Sequence, residues 1–315
     1  MRGIFVFSAT AAMLGVASIA SAVFFDDFDV DTSANWAVNK SGNVTNNIAT
    51  FAYDYSALGI GSAPGSSGGS TKGLRLQANV AGAVFSGLSV SPLGQSFTTD
   101  FVMTADVWLN YIGPLNGGSS TGGTTQFAGM GWGTAGATAQ WAASAQDSVH
   151  FSTSLDGGST TDYRAYSSAA PTSYASGNAV YGTTSTQNTN VYYSTAFPSG
   201  TAAPAAQTTL FPSQTGVTNT GVTAFRWRQW RVEKAGTSLT WKIDGTLLAT
   251  IDLTTVTTSS TKNILINMFD SNSGSGTDPN RLNNMIVDNI QVVPEPATMT
   301  ALALGMGALL RRRRK

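Results

Sequence analysis

Side-chain chemistry in this chain has few residue types to draw on. The 315 residues include no cysteine, one histidine (His150) and two glutamates, Glu233 and Glu295. A transition-metal centre would therefore lack thiolate and imidazole ligands. A Ser-His-acid triad would have to pass through His150, which alternates with Val149 and Phe151 in SVHFSTSL. That spacing predicts a solvent-exposed position on the polar face of a strand. Neither a G-x-S-x-G elbow in an α/β context nor a G-x-x-x-x-G-K-[ST] phosphate loop occurs. Aspartates are better represented: Asp26, Asp27, Asp29 and Asp31 cluster early and Asp288 lies late. If the two ends pair in one sheet, Asp27, Asp29 and Asp288 with backbone oxygens could form the hard-oxygen set of a structural calcium ion. Alternatively, one faces solvent and the others bond backbone amides. No other cofactor is expected.

Two groups of side chains suit binding. In FVMTADVWLN, Asp106, Trp108 and Asn110 share one face, opposite Phe101, Met103, Ala105, Val107 and Leu109. A flat ring beside planar hydrogen-bonding groups is what the face of a sugar requires. The alternative is that Trp108 belongs to a core and Asp106 caps a loop. Tyr163 and Arg164 in DYRAY form the second candidate, or else a structural tyrosine and an ion pair with Asp162. The run FRWRQWR, with Phe225, Trp227 and Trp230 among arginines, has the composition of a nucleic-acid stacking platform. Charge opposes that reading. The formal balance of 17 basic and 17 acidic residues includes Arg2 and five terminal cations, and without these 11 basic residues face 17 acidic ones. An acidic body does not attract nucleic acid, so the arginine stems are expected to pack on their aromatic neighbours.

The elements that must position these residues are strands. Leu74, Leu76, Ala78 and Val80 alternate with Arg75, Gln77 and Asn79, and the period of two recurs in residues 101–110 and 149–155. No sustained period of 3.6 appears between Val23 and Val293. Asp244-Gly245, between SLTWKI and TLLATID, suits a type I′ hairpin turn. GIGSAPGSSGGS (59–70) and GPLNGGSSTGG (113–123) are expected surface loops. Between Arg164 and Arg226 lie 61 uncharged residues holding five of the nine tyrosines, which predicts long loops with one or two strands laid over the body. About a dozen short strands without a disulfide need one large core. An all-β, two-sheet antiparallel jelly-roll sandwich meets that need.

The two ends read as transport devices. Arg2, the apolar stretch IFVFSATAAMLGVASIA and the cleavage site Ala20-Ser21-Ala22 form a signal peptide over residues 1–22. At the other end, Pro294-Glu295-Pro296 precedes 14 uncharged residues and then RRRRK. As a helix those residues would rise about 21 Å, short of a bilayer core of about 30 Å, so they would anchor only transiently. The order of the three parts resembles the PEP-CTERM sorting signal of exported bacterial proteins. The resemblance implies cleavage near Pro294-Glu295-Pro296 by an exosortase-type membrane protease, and delivery to the envelope, cell surface or extracellular matrix. The expected plan is a signal helix (1–22), a sandwich (23–293) and a sorting segment with a short apolar, transmembrane helix (294–315).

FFDDFDVDTSANW, ADVWLNYIGP, DGGSTTDYRAY, FRWRQWRVEKAGTSLTWKIDGTLLATID and IVDNIQVV together resemble the concanavalin A-like lectin/glucanase sandwiches. The resemblance implies that fold, with extracellular polysaccharide as the partner. Hydrolases of this kind carry Glu-x-Asp-x-x-Glu or a close variant on one strand, which this chain cannot supply. The expectation is thus a non-catalytic, carbohydrate-binding protein and not an enzyme. The alternatives are a glycoside hydrolase or lyase with an atypical carboxylate pair, and a purely structural coat protein.

Overall fold

The computed structural model describes residues 23–42, 44–81, 85–113, 126–142, 146–270 and 281–295. Its strands form two antiparallel sheets. The larger contains β1 (Phe24–Asp26), β3 (Ile48–Asp54), β4 (Lys72–Gln77), β6 (Phe101–Asn110), β10 (Arg228–Ala235), β11 (Ser238–Ile243), β12 (Thr246–Asp252) and β14 (Asn284–Pro294). Its order is β12-β11-β10-β6-β14-β4-β3, with β1 also paired to β14. The smaller runs β2 (Trp36–Ser41), β5 (Ser86–Pro92), β13 (Asn263–Asp270), β7 (Gln126–Thr134), β8 (Val149–Ser154) and β9 (Tyr163–Tyr166).

The alternating apolar residues build the core. Leu74, Leu76, Met103, Val107, Val232 and Trp241 of the larger sheet are buried in one cluster with Leu88, Val90, Met130, Phe151, Ile266 and Met268 of the smaller. The β11–β12 hairpin turns at Asp244 (φ 47°) and Gly245 (φ 80°), with Ile243 opposite Thr246. Two successive positive φ values define the type I′ turn that these residue types predict.

Three expectations are corrected. His150 is fully buried, because the outer face of the smaller sheet is covered. The uncharged stretch contributes no strand between β9 and β10, but holds two six-residue helices, α1 (Val191–Ala196) and α2 (Ala205–Leu210). The long apolar helices expected beside the sandwich are not among its described elements: among the described residues, no helix is long and apolar enough to cross a membrane. The expected signal and transmembrane helices fall on residues 1–22 and 296–315, outside the described residues.

Candidate functional site

β6 and β14 are neighbours, and their register sets Asp106 directly opposite Asp288. Opposed residues in an antiparallel pair project to one face with Cβ atoms about 4.5–5.5 Å apart. Two carboxyl groups therefore share a patch on the face turned away from the second sheet. Both are nearly buried, Asp106 at 9% and Asp288 at 1% exposure, because the glycine-rich segment before β4 folds back over them. Gly65 N–H donates to Asp106 Oδ2 (2.8 Å), and the Ser66 hydroxyl donates to Asp288 Oδ2 (2.8 Å). The Tyr55 hydroxyl donates to the same Asp288 oxygen at 3.0 Å. Position 65 has little room for a side chain, since a Cβ there would stand 2.9 Å from Asp106 Oδ2.

A register shift in β14 after Asp288 places Asn289 in the left-handed region, φ 51°, which asparagine tolerates better than most residues. Its Nδ2 then donates to Asp106 Oδ2 at 3.1 Å. Asp288 Oδ1 is buried without a hydrogen-bond partner in the protein. Burial, and behind it the charge of Asp106, pushes the Asp288 carboxyl up to about 6, against the pull of the Ser66 and Tyr55 hydrogen bonds. Asp288 thus exchanges its proton near neutral pH, a property that acid/base chemistry uses. Burial also pushes the Tyr55 phenol up to about 12, so it stays a donor.

Asp106, Trp108 and Asn110 do share one face, but under a roof. Trp108 Nε1 donates to Asn110 Oδ1 (3.1 Å), which also accepts from Gln207 Nε2 of α2 (2.9 Å). Trp227 packs edge-on against Trp108 and Tyr55, with centroids 5.8 and 5.1 Å away. The sequence reading missed Tyr55, Asn289 and Trp227 here, and assigned Asp288 to a metal. The one available signal was an aspartate next to a valine in each of two strand-like segments, ADV and VDN.

Tyr163 and Arg164 do not form one site, because successive strand residues face opposite ways. Tyr163 lies in the core, stacked on Tyr193 at 4.0 Å, and its hydroxyl donates to Gly221 O. Arg164 lies on the outer face, 3.8 Å above the Phe127 ring, and its Nε donates to Thr161 O. The expected calcium set is not assembled either. Asp27 Oδ1 accepts from Asp29 N–H in the turn after β1, while Asp288 sits beneath Ser66. Among the described residues, no group of three or more His, Cys, Asp or Glu could hold a metal ion. Ala20, Ala22 and Pro296 lie outside the described residues, whereas Pro294 ends β14 and Glu295 follows it.

Residues 292–315 match the family model described as the PEP-CTERM protein-sorting motif. The chain is therefore an exported, PEP-CTERM-tagged β-sandwich, sorted to the cell surface or extracellular matrix, and the motif implies an exosortase-type partner. No curated protein matches it. Among solved structures it is similar to a Bacillus subtilis protein of unknown function with a galectin-like fold, at 8% identity over 87% of this chain and 96% of that one, TM-score 0.42. It is also similar to a Mycobacterium marinum β-1,3-glucanase (11% identity, 87% and 99% covered, TM-score 0.40). A third is the Crh5 transglycosylase in complex with NAG (11%, 88% and 85%, TM-score 0.40). These likenesses concern fold alone. The expectation that the chain is not an enzyme is corrected on its own residues: it assumed that no carboxyl pair was at hand, and Asp106 and Asp288 are set opposite one another across β6 and β14.

Proposed function

We propose that this exported protein acts on polysaccharide of the envelope or extracellular matrix, as a glycoside hydrolase or lyase with an atypical carboxylate pair. The observation that supports the reading is the opposition of Asp106 and Asp288 in register, with the Asp288 carboxyl pushed up to about 6. In hydrolysis, protonated Asp288 gives its proton to the departing glycosidic oxygen. Asp106 then attacks the anomeric carbon or takes a proton from the attacking water. Trp108 and Trp227 supply the apolar surface on which a ring rests. Access depends on the roof: Gly65 and Ser66 cover both carboxyl groups and have to lift for a sugar to reach them.

The test is release of reducing or unsaturated ends from a panel of bacterial and plant polysaccharides by residues 23–295. Asp288→Asn and Asp106→Asn serve as controls. Turnover is expected to fall at least 100-fold in either variant, in line with loss of a general acid or base. Wild-type turnover should decline as pH rises above about 6 and Asp288 loses its proton. Undiminished turnover in both variants, or none on any polysaccharide, would overturn the assignment.

A further inference from the structure

The sorting triplet begins inside the folded body. β14 extends through Pro294, with Val293 opposite Val102 and Pro294 opposite Phe101 of β6. Glu295 N–H then donates to Asp100 O at 3.3 Å. That carbonyl belongs to a fixed residue, since Asp100 accepts from Lys234 Nζ at 2.7 Å and from Gly236 N–H at 3.0 Å. On its other edge β14 pairs with β1 only as far as Val292, which accepts from Val23 N–H at 2.8 Å. Among the described residues, 293–295 are thus held from one side only. The Glu295 carboxyl is tucked against the body: Oε1 is buried without a hydrogen-bond partner. Burial first, and the neighbouring Glu233 carboxyl second, raise its pKa.

A protease that cuts beside this triplet needs its backbone extended and free of other pairing, because the groups it would grip are the N–H and C=O that a sheet uses. We infer that the exosortase-type protease binds Val293–Glu295 only after these residues leave β6, so that closure of the sandwich and processing of the tail compete for one short strand end. This rests on the sorting motif and is independent of the role given to Asp106 and Asp288. One-sided pairing makes the release local, since β1 and the earlier rungs of β14 stay in place.

The chain has no cysteine, so one engineered disulfide can lock the strand end. Val102 and Val293 are opposed, and opposed antiparallel residues have Cα separations of about 4.5–5.5 Å, within disulfide range. The full chain carrying Val102→Cys and Val293→Cys is expressed in a host with the protease, beside each single variant. Mass spectrometry reports both the disulfide and the tail. The oxidised double variant is expected to lose its tail at least tenfold more slowly than either single variant. Equal rates, with the disulfide verified, would overturn the inference. If the double variant is not exported, Asp100→Ala decides: it loosens the residue that holds Glu295 and is expected to speed processing at least twofold. An unchanged rate there would also overturn it.

Discussion

The two outer faces of this sandwich are both roofed and both bury polar groups, yet they do so in opposite ways. Over the larger sheet, the Gly65–Ser66 segment covers two carboxyl groups and hydrogen-bonds them directly. Over the smaller sheet, the segment around Gln140 covers neutral groups. Gln140 N–H donates to Ser89 Oγ, Asn267 Nδ2 donates to Gln140 O, and the Ser148 hydroxyl donates to Gln140 Oε1. Beneath it His150 stacks on Tyr166 at 4.6 Å, with Nε2 lacking any partner in the protein. Gly131, beside His150 in the sheet, gives that ring its space, since a Cβ there would collide with His150 Cβ and Val149 O. One face thus keeps an acid near its titration point, while the other holds its base uncharged. Reactive potential on this scaffold follows from which face concentrates charge under cover.

The two faces should titrate with opposite sign across one pH range. Burial drives His150 down to about 3, below its unfolded value of about 6.5. The folded state then binds fewer protons, so stability is lost as pH falls from about 6.5 towards 3, by up to about 5 kcal/mol. His150→Phe keeps a ring against Tyr166 and removes this limb. Urea unfolding from pH 7 to pH 4 should show the variant gaining steadily on wild type, and a flat difference would break the contrast. Asp288 is raised to about 6, so its stability is present below about 3.8 and lost as pH rises through 6. Asp288→Asn should therefore be more stable than wild type at pH 7.5, by about 3 kcal/mol, with the gap closing by pH 4. A variant no more stable at pH 7.5 would mean that the buried acid carries no strain. Stabilisation with loss of turnover is what a strained functional group predicts.

Much of the scaffold is legible in the sequence. Met103, Ala105 and Val107 read as a core face and are one, and Asp244-Gly245 read as the hairpin it forms. The shared face of Asp106, Trp108 and Asn110 also followed from a period of two. The roofs did not. A polar residue alternating with apolar ones signals an outward direction but not exposure, so His150 read as solvated although it is fully buried. The covering segments are rich in Gly, Ser and Thr, and helices of six residues are too short to establish a 3.6 period. The Asp106–Asp288 pair was hidden for another reason. A search for spaced carboxylates along one strand cannot find two brought together by register across two strands.

The smallest expected difference separates the roofs themselves, through one serine in each. Ser66 donates to Asp288 Oδ2, whereas Ser148 donates to Gln140 Oε1 and lies 3.3 Å from His150 Nδ1. Loss of a hydrogen bond to a charged group costs about 1.5–3 kcal/mol, and to a neutral one about 1 kcal/mol. Ser66→Ala removes a contact that favours the Asp288 carboxylate, so its cost should grow with pH, small at pH 4 and full by pH 7.5. Ser148→Ala faces an imidazole that stays neutral down to about pH 3, so its cost should be constant over that interval. Parallel unfolding curves of the two variants at pH 4, 5.5 and 7.5 measure this. Two pH-independent costs of equal size would mean that the roofs cover the same kind of polar surface, and the contrast in charge between the faces would lose its energetic basis.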